Sequence, residues 1–275
     1  MKYKCIVSDL DWTLLKGDAL DEKTRGALVT LAKNNVLFVP ATGRAFKSVP
    51  ECILSIPGVD HVITSNGVAI YDAHSKKPVV NTHLSVETVK IILNEAKKDN
   101  LILEAFINGQ PFTCREYYND PMKYGARQES VAYVQRTRTV VDDMLLFIEE
   151  NKDKLDCIDV ITSSDTKAAK MARLKALLPN NYITTSAPQL IEISDGNSGK
   201  HRRMLDLMKH LNIDLSEVVA FGDGDNDSDM LKLAGFGVAM GNGTPKCQAS
   251  ANYITDTNEN FGVYKALCKL FPEVL

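Results

Sequence analysis

Two short apolar runs in this chain end in clusters of carboxylates, and no other feature restricts the fold as much. Cys5-Ile6-Val7 leads into Asp9-Leu10-Asp11, and Val218-Val219-Ala220-Phe221 leads into Gly222-Asp223-Gly224-Asp225-Asn226-Asp227. A short apolar run bounded by turn residues reads as a buried strand. Helical patterns alternate with these runs. Residues 21–34 place Ala27, Leu28, Leu31 and Ala32 on one face, and the apolar run 36–41 stops at Thr42-Gly43-Arg44. A helical stretch at 45–55 is interrupted by Pro50, and a third strand at 61–65 ends at Asn66-Gly67. Strands alternating with helices, with polar residues at the strand ends, give βαβ units and a parallel sheet.

The middle of the chain has a different rhythm. A hairpin (68–71 with 78–81) is followed by a helix at 86–99, a strand at 101–107 and a polar, tyrosine-rich stretch to residue 127. A helix at 140–151, a strand at 155–162 and an amphipathic helix at 165–178 with Asp165 as its N-cap complete the block. After Pro188 the first rhythm returns, with strands at 190–194, 218–221 and 236–240, a helix at 200–211 and a closing helix from Asn260. The expected architecture is α/β: a Rossmann-like core from 1–83 and 188–275, split by an α+β insert at 84–187.

Composition removes several functional classes. A net charge of −3 with no strongly basic stretch argues against a nucleic-acid partner. No apolar run is long enough to span a bilayer, and the first residues lack the pattern of a signal peptide. The six cysteines are scattered, without the close pairs of a zinc or redox motif. The expectation is a cytoplasmic protein with reduced thiols.

In an open parallel sheet, ligands bind beyond the carboxyl ends of the strands. Two acidic clusters meeting there are costly unless a cation sits between them or they face water. Carboxylate oxygens are the ligands Mg²⁺ prefers, together with water and substrate phosphate. Such an ion would let an anionic nucleophile approach an anionic phosphate.

Four signatures in order resemble those of the haloacid dehalogenase superfamily of phosphohydrolases: Asp9-x-Asp11-x-Thr13, Thr42-Gly43-Arg44, Lys200 opening a helix, and Gly222-Asp223-x-x-Asn226-Asp227. The insert resembles the C2 cap of the Cof-like branch, class IIB, and the pattern spans essentially the whole chain. The resemblance implies a Mg²⁺-dependent phosphatase acting on small phosphorylated metabolites. Asp9 would be the nucleophile, forming an aspartyl-phosphate, and Asp11 the general acid and base. The Leu10 and Gly43 N–H groups, Thr42, Lys200 and Asn226 would bind phosphate. Asp9, Asp223 and the Asp11 main-chain carbonyl would hold the metal, with Asp227 behind them. The cap would close over the core and choose the leaving group, and a monomer would suffice. One departure is Trp12, where the family usually has Gly.

Each residue also has an ordinary reading. Asp9 and Asp11 serve as turn or cap residues elsewhere, Thr42 as a helix N-cap, and Lys200 as a surface lysine. Arg44 is catalytic or part of a structural salt bridge, and Asn66-Gly67 lines a pocket or makes a plain turn. Two functional alternatives stay open: a phosphomutase of the same class, and a non-catalytic sensor of a phosphorylated metabolite.

Overall fold

The computed structural model describes all 275 residues, and they form two compact units. The first comprises Met1–Arg44, Val49–Val80 and Gly199–Leu275; the second comprises Ala45–Ser48 and Asn81–Ser198.

The first unit is built on a five-stranded parallel sheet. Its order is Tyr253–Ile254, Phe236–Ala239, Val218–Gly222, Cys5–Ser8 and Leu37–Pro40. Cys5, Ile6, Val7, Val218, Val219, Ala220 and Phe221 are buried, which is why the runs are apolar without alternation. The register pairs Ser8 with Phe221 on one side and Pro40 on the other. The residues after Ser8, Phe221 and Pro40 therefore leave the sheet at one edge.

Helices cover the sheet for local reasons. Glu22–Lys33 starts at Asp21, whose carboxylate accepts the Thr24 N–H at 2.8 Å, and it buries Ala27, Leu28 and Leu31 as a stripe. Lys200–His210 starts at Gly199, whose φ of 124° suits glycine, and it buries Met204, Leu207 and Met208. Each fully buried Leu or Met side chain contributes about 1.5–3 kcal/mol relative to an exposed one.

The run at 61–65 does not join the parallel sheet as a full strand. His61–Thr64 pairs antiparallel with Ala69–Asp72, and a single parallel bridge, Ala41 to Ile63, ties it to the core. The reason lies in the turn Ser65–Gly67. Asn66 sits at φ 53° and Gly67 at φ 86°, so the chain reverses at once.

The second unit has a six-stranded sheet, ordered Thr139–Val141, Gln110–Cys114, Ile102–Ile107, Cys157–Ile161, Leu190–Asp195 and Asn181–Thr184. All pairs are antiparallel except the first. One face carries Leu103, Ala105, Ile158, Val160, Ile191 and Ile193, packed with Val89 and Ile92 of the helix Val86–Asp99 and Ile148 of Met144–Glu150. Tyr117 and Val134, from the helices Arg115–Asn119 and Gln128–Thr137, pack with Ile161 in a separate small cluster.

Three expectations need correction. The strand Leu190–Asp195, read as part of the returning core, pairs with Cys157–Ile161 in the second unit's sheet. An apolar run of this length carries no mark of which sheet it will join. The helix expected from 140 begins only at Met144, because Thr139–Val141, rich in β-branched residues, forms an edge strand first. The helix Ser164–Leu177 is capped at Ser163 rather than Asp165, which lies in its first turn, and it buries only Leu174.

Candidate active site

The carboxyl ends of Cys5–Ser8 and Val218–Gly222 are adjacent, and Asp9 extends the ladder by donating its N–H to the Phe221 carbonyl at 3.0 Å. Its side chain is 8% exposed. The chain then turns sharply, and the N–H groups of Thr13, Leu14 and Leu15 all point at the Leu10 carbonyl, at 3.3, 2.9 and 2.8 Å. The buried Leu10 side chain anchors this turn in the core. Trp12 occupies the left-handed region at φ 62°, where a side chain is disfavoured, and is 40% exposed.

Lys200 is the centre of the arrangement. It is fully buried, and its Nζ lies 2.5 Å from Asp9 Oδ1 and 2.7 Å from Asp227 Oδ1. An unpaired ammonium could not be buried at tolerable cost, so the two carboxylates are what permit it. Asp227 uses its other oxygen, Oδ2, to accept the N–H groups of Asp223 and Gly224 at 3.0 and 2.9 Å. This clamp shapes the loop after the strand. A Cβ on Gly222 would lie 2.4 Å from the Asp227 Cβ, so glycine is required there. Asp223 accepts a 2.8 Å hydrogen bond from the Thr13 hydroxyl, joining the two strand-end loops.

Carboxylate oxygens of Asp9, Asp223 and Asp227 lie within 4.8 Å of one another. Burial pushes the Asp9 carboxyl up, Lys200 pulls it back, and the neighbouring acids push it up again; the result is well above the usual range. Burial and then Asp227 push Asp223 up to about 7, against the pull of the Thr13 hydroxyl and Lys200. Burial lowers the Lys200 ammonium, but Asp227 and Asp9 outweigh it and the net shift is upward. The cluster thus has three acids for one base. That imbalance, on hard oxygen donors, fits a divalent cation such as Mg²⁺.

Phosphate-binding candidates gather on a third strand end. The Thr42 N–H donates to the Ile63 carbonyl at 2.8 Å, and its hydroxyl oxygen accepts the Arg44 N–H at 3.0 Å. Asn66 donates its N–H to the Thr42 carbonyl at 3.0 Å, and its side-chain oxygen accepts from the Asn226 amide at 2.9 Å. A Cβ on Gly43 would touch the Asn66 amide at 3.2 Å, and one on Gly67 would strike the Gly199 carbonyl at 2.3 Å. Thr42-Gly43, Asn226 and the start of the Lys200 helix are therefore held together by Asn66-Gly67. Sequence reasoning left that dipeptide between a pocket and a turn; its position at a strand end was the available signal. Thr13 and Asp18 were assigned no role from sequence.

Asp11 has a different partner. Its side chain is 43% exposed and is gripped by Arg44, so it stands apart from the Asp9–Lys200–Asp227 chain of contacts.

Comparison with known proteins agrees with this geometry. The haloacid dehalogenase-like hydrolase family matches residues 6–267. The chain belongs to that family, and it is a hydrolase. An HMP-PP phosphatase of Yersinia pseudotuberculosis is 30% identical over 247 residues, covering 89% of this chain and 86% of that protein. A haloacid dehalogenase-like hydrolase of B. subtilis is 25% identical with a TM-score of 0.83, covering 97% of this chain and 99% of that one. A sugar phosphatase of haloacid dehalogenase subclass IIB shares the fold at 21% identity, with a TM-score of 0.80 over 98% of this chain and 99% of that one.

Proposed function

We propose that this hydrolase is a Mg²⁺-dependent phosphatase of small phosphomonoesters, sugar phosphates or similar metabolites, working through an aspartyl-phosphate on Asp9. The observation that carries the reading is the buried Lys200 ammonium between Asp9 and Asp227, beside Asp223. The similarity to an HMP-PP phosphatase and to a subclass IIB sugar phosphatase supports the substrate class.

The Asp9 carboxylate attacks phosphorus; a carboxylate–phosphorus bond forms as the bond to the ester oxygen breaks. Asp11 gives a proton to the departing alkoxide, which leaves as an alcohol. Asp11 then takes a proton from water as that water attacks the aspartyl-phosphate, and phosphate and free Asp9 result. Lys200 holds the Asp9 oxygen it contacts in place and offsets charge on the phosphate. Thr42, the Gly43 and Leu10 N–H groups and Asn226 bind phosphate oxygens. Asp9 and Asp223 side chains and the Asp11 carbonyl are the groups that would hold Mg²⁺, with Asp227 positioning Lys200 and the loop. The ion would neutralise charge, so that an anionic phosphate can approach an anionic carboxylate.

The test is release of inorganic phosphate from a panel of hexose phosphates and other small phosphomonoesters, with and without Mg²⁺. Wild type should release phosphate only with the metal. Asp9→Asn should lose at least about 10⁴-fold in turnover, as removal of a covalent nucleophile does. Release retained by Asp9→Asn would overturn the reading.

A further inference from the structure

Arg44 makes a contact that the phosphate site does not account for. Its side chain is 5% exposed, yet its guanidinium is spent on two half-exposed carboxylates. Nε donates to Asp11 Oδ2 at 2.9 Å and Nη2 to Asp11 Oδ1 at 2.6 Å, a two-pronged fork. Nη1 donates to Asp18 Oδ1 at 2.7 Å, and Nη2 also reaches the Gly17 carbonyl at 3.2 Å. Asp18 and Gly17 lie on the turn between the short strands Leu15–Lys16 and Ala19–Leu20. Arg44 is in turn fixed from behind: its N–H donates to the Thr42 hydroxyl oxygen, and its carbonyl accepts the Ser65 N–H at 2.9 Å.

A structural salt bridge would not need this layout. Asp11 and Asp18 are 43% and 40% exposed, and exposed ion pairs typically contribute under about 1 kcal/mol. What the buried fork supplies is direction. A planar guanidinium binds both oxygens of one carboxylate in a single orientation, which a lysine cannot do. The half-exposed Asp11 side chain would otherwise sample several rotamers, and proton transfer demands hydrogen-bond reach to the reacting oxygen.

We propose that Arg44 is a positioning residue for Asp11, and that Asp18 is the anchor holding Arg44 in place. The inference rests on the reading of Asp11 as the proton-transfer group of the phosphatase. Arg44 touches no reacting atom; it sets where the Asp11 carboxyl lies when the leaving oxygen takes its proton and when water gives one up.

The test uses p-nitrophenyl phosphate and an alkyl phosphomonoester with wild type, Asp11→Asn, Arg44→Ala, Arg44→Lys and Asp18→Asn. The p-nitrophenolate group leaves without needing a proton. Its pre-steady-state burst therefore reports Asp9 attack alone, while steady-state turnover includes water activation. The expected result is a burst rate within about twofold of wild type in Arg44→Ala, Arg44→Lys and Asp18→Asn. Turnover should fall about tenfold or more in Arg44→Ala and Arg44→Lys, with a smaller fall in Asp18→Asn, against the 10²–10⁴-fold that general acid–base catalysis typically supplies. Turnover on the alkyl ester should fall in the same order. Adding Arg44→Ala to Asp11→Asn should cost little more than Asp11→Asn alone. Asp18→Asn alters an exposed residue and tests the idea even where Arg44→Ala folds poorly. Burst and turnover falling together, additive effects of Arg44→Ala and Asp11→Asn, or unchanged turnover in Arg44→Ala would overturn the proposal. Failure of wild type to release phosphate would instead strike the phosphatase reading itself.

Discussion

In each unit of this molecule three carboxylates gather near one cation whose side chain is buried, and the two groups have been built to opposite ends. In the first unit Asp9, Asp223 and Asp227 come from loops at the ends of strands, and their oxygens converge within 4.8 Å beside Lys200. In the second unit Glu104, Asp159 and Glu192 stand side by side on three adjacent strands, paired in register. Arg138 binds Glu104 through Nε and Nη2 at 3.1 and 3.2 Å. Glu192 accepts a 3.0 Å hydrogen bond from the Ser186 hydroxyl. Strands lie about 4.8 Å apart, so side chains fixed on them form a row and cannot close around a point. Loop ends have no such constraint. Convergence, rather than the number of buried acids, separates a site from a polar layer of the fold.

Removing the two cations gives the largest expected effects. Lys200→Met and Arg138→Met each leave carboxylates buried without their cation, and each should destabilise by about 3–5 kcal/mol, read from urea unfolding. The groups then diverge. Lys200→Met should abolish phosphate release, whereas Arg138→Met should leave measurable turnover in whatever fraction is folded. Next in size is Mg²⁺ itself. A ligand at a hundredfold excess over its Kd stabilises the native state by about 2.7 kcal/mol. Thermal unfolding of wild type should shift upward with Mg²⁺, that shift should vanish in Asp223→Asn, and it should persist in Glu192→Gln. A shift abolished by Glu192→Gln would dissolve the contrast between the two clusters.

The same contrast explains what could be read in the sequence. The first cluster is legible because its residues interrupt apolar runs: Asp9 after Cys5-Ile6-Val7, and Gly222 to Asp227 after Phe221. The α/β class follows from the same punctuation. The second row is hidden. Leu103-Glu104-Ala105 and Ile158-Asp159-Val160 read as ordinary alternating strands with a wet outer face. Only the tertiary structure buries those carboxylates, and the neighbouring stretch 115–138 stood out in the sequence only for its tyrosines and basic residues. The role of Asn66, left between a pocket and a turn, went undecided, and Asp18 and the sheet joined by Leu190–Asp195 escaped, for a related reason. Each depends on a partner far away in the chain, and local pattern carries no address.

A smaller effect comes from Asp159. Burial, then Glu192 and Glu104, push its carboxyl well up, and Arg138 offsets this only in part. Tyr117, whose hydroxyl Gln189 binds at 3.2 Å, and Cys157, two residues earlier on the same strand, are the other titratable groups near it. A carboxyl with a raised folded-state value binds its proton more tightly in the native protein than in the unfolded chain. Its contribution to stability is full below the ordinary carboxylate range and is lost as pH rises through the folded value. Asp159→Asn keeps a neutral side chain at every pH. The variant should therefore gain on wild type as pH is raised from 4.5 to 8, measured as the difference in Tm. A difference independent of pH would show that Asp159 is ionised in the fold.

The smallest effect concerns the entrance to the first cluster. Trp12 holds φ 62° in the turn between Asp11 and Thr13, with its carbonyl tied by the Asn242 amide at 2.9 Å. A non-glycine residue in the left-handed region costs about 1–2 kcal/mol. Glycine would relieve that cost, but it also adds freedom to the unfolded chain, worth about 0.5–1 kcal/mol. Trp12→Gly should thus leave stability unchanged or raise it by up to about 1 kcal/mol in urea unfolding. The Asp9–Lys200–Asp227 contacts do not include residue 12, so the p-nitrophenolate burst should be preserved. A KM that changes with the bulk of the leaving group while the burst rate holds would mark the indole as a part of the entrance. A loss of stability above 1 kcal/mol would show instead that indole packing outweighs the strain in its backbone.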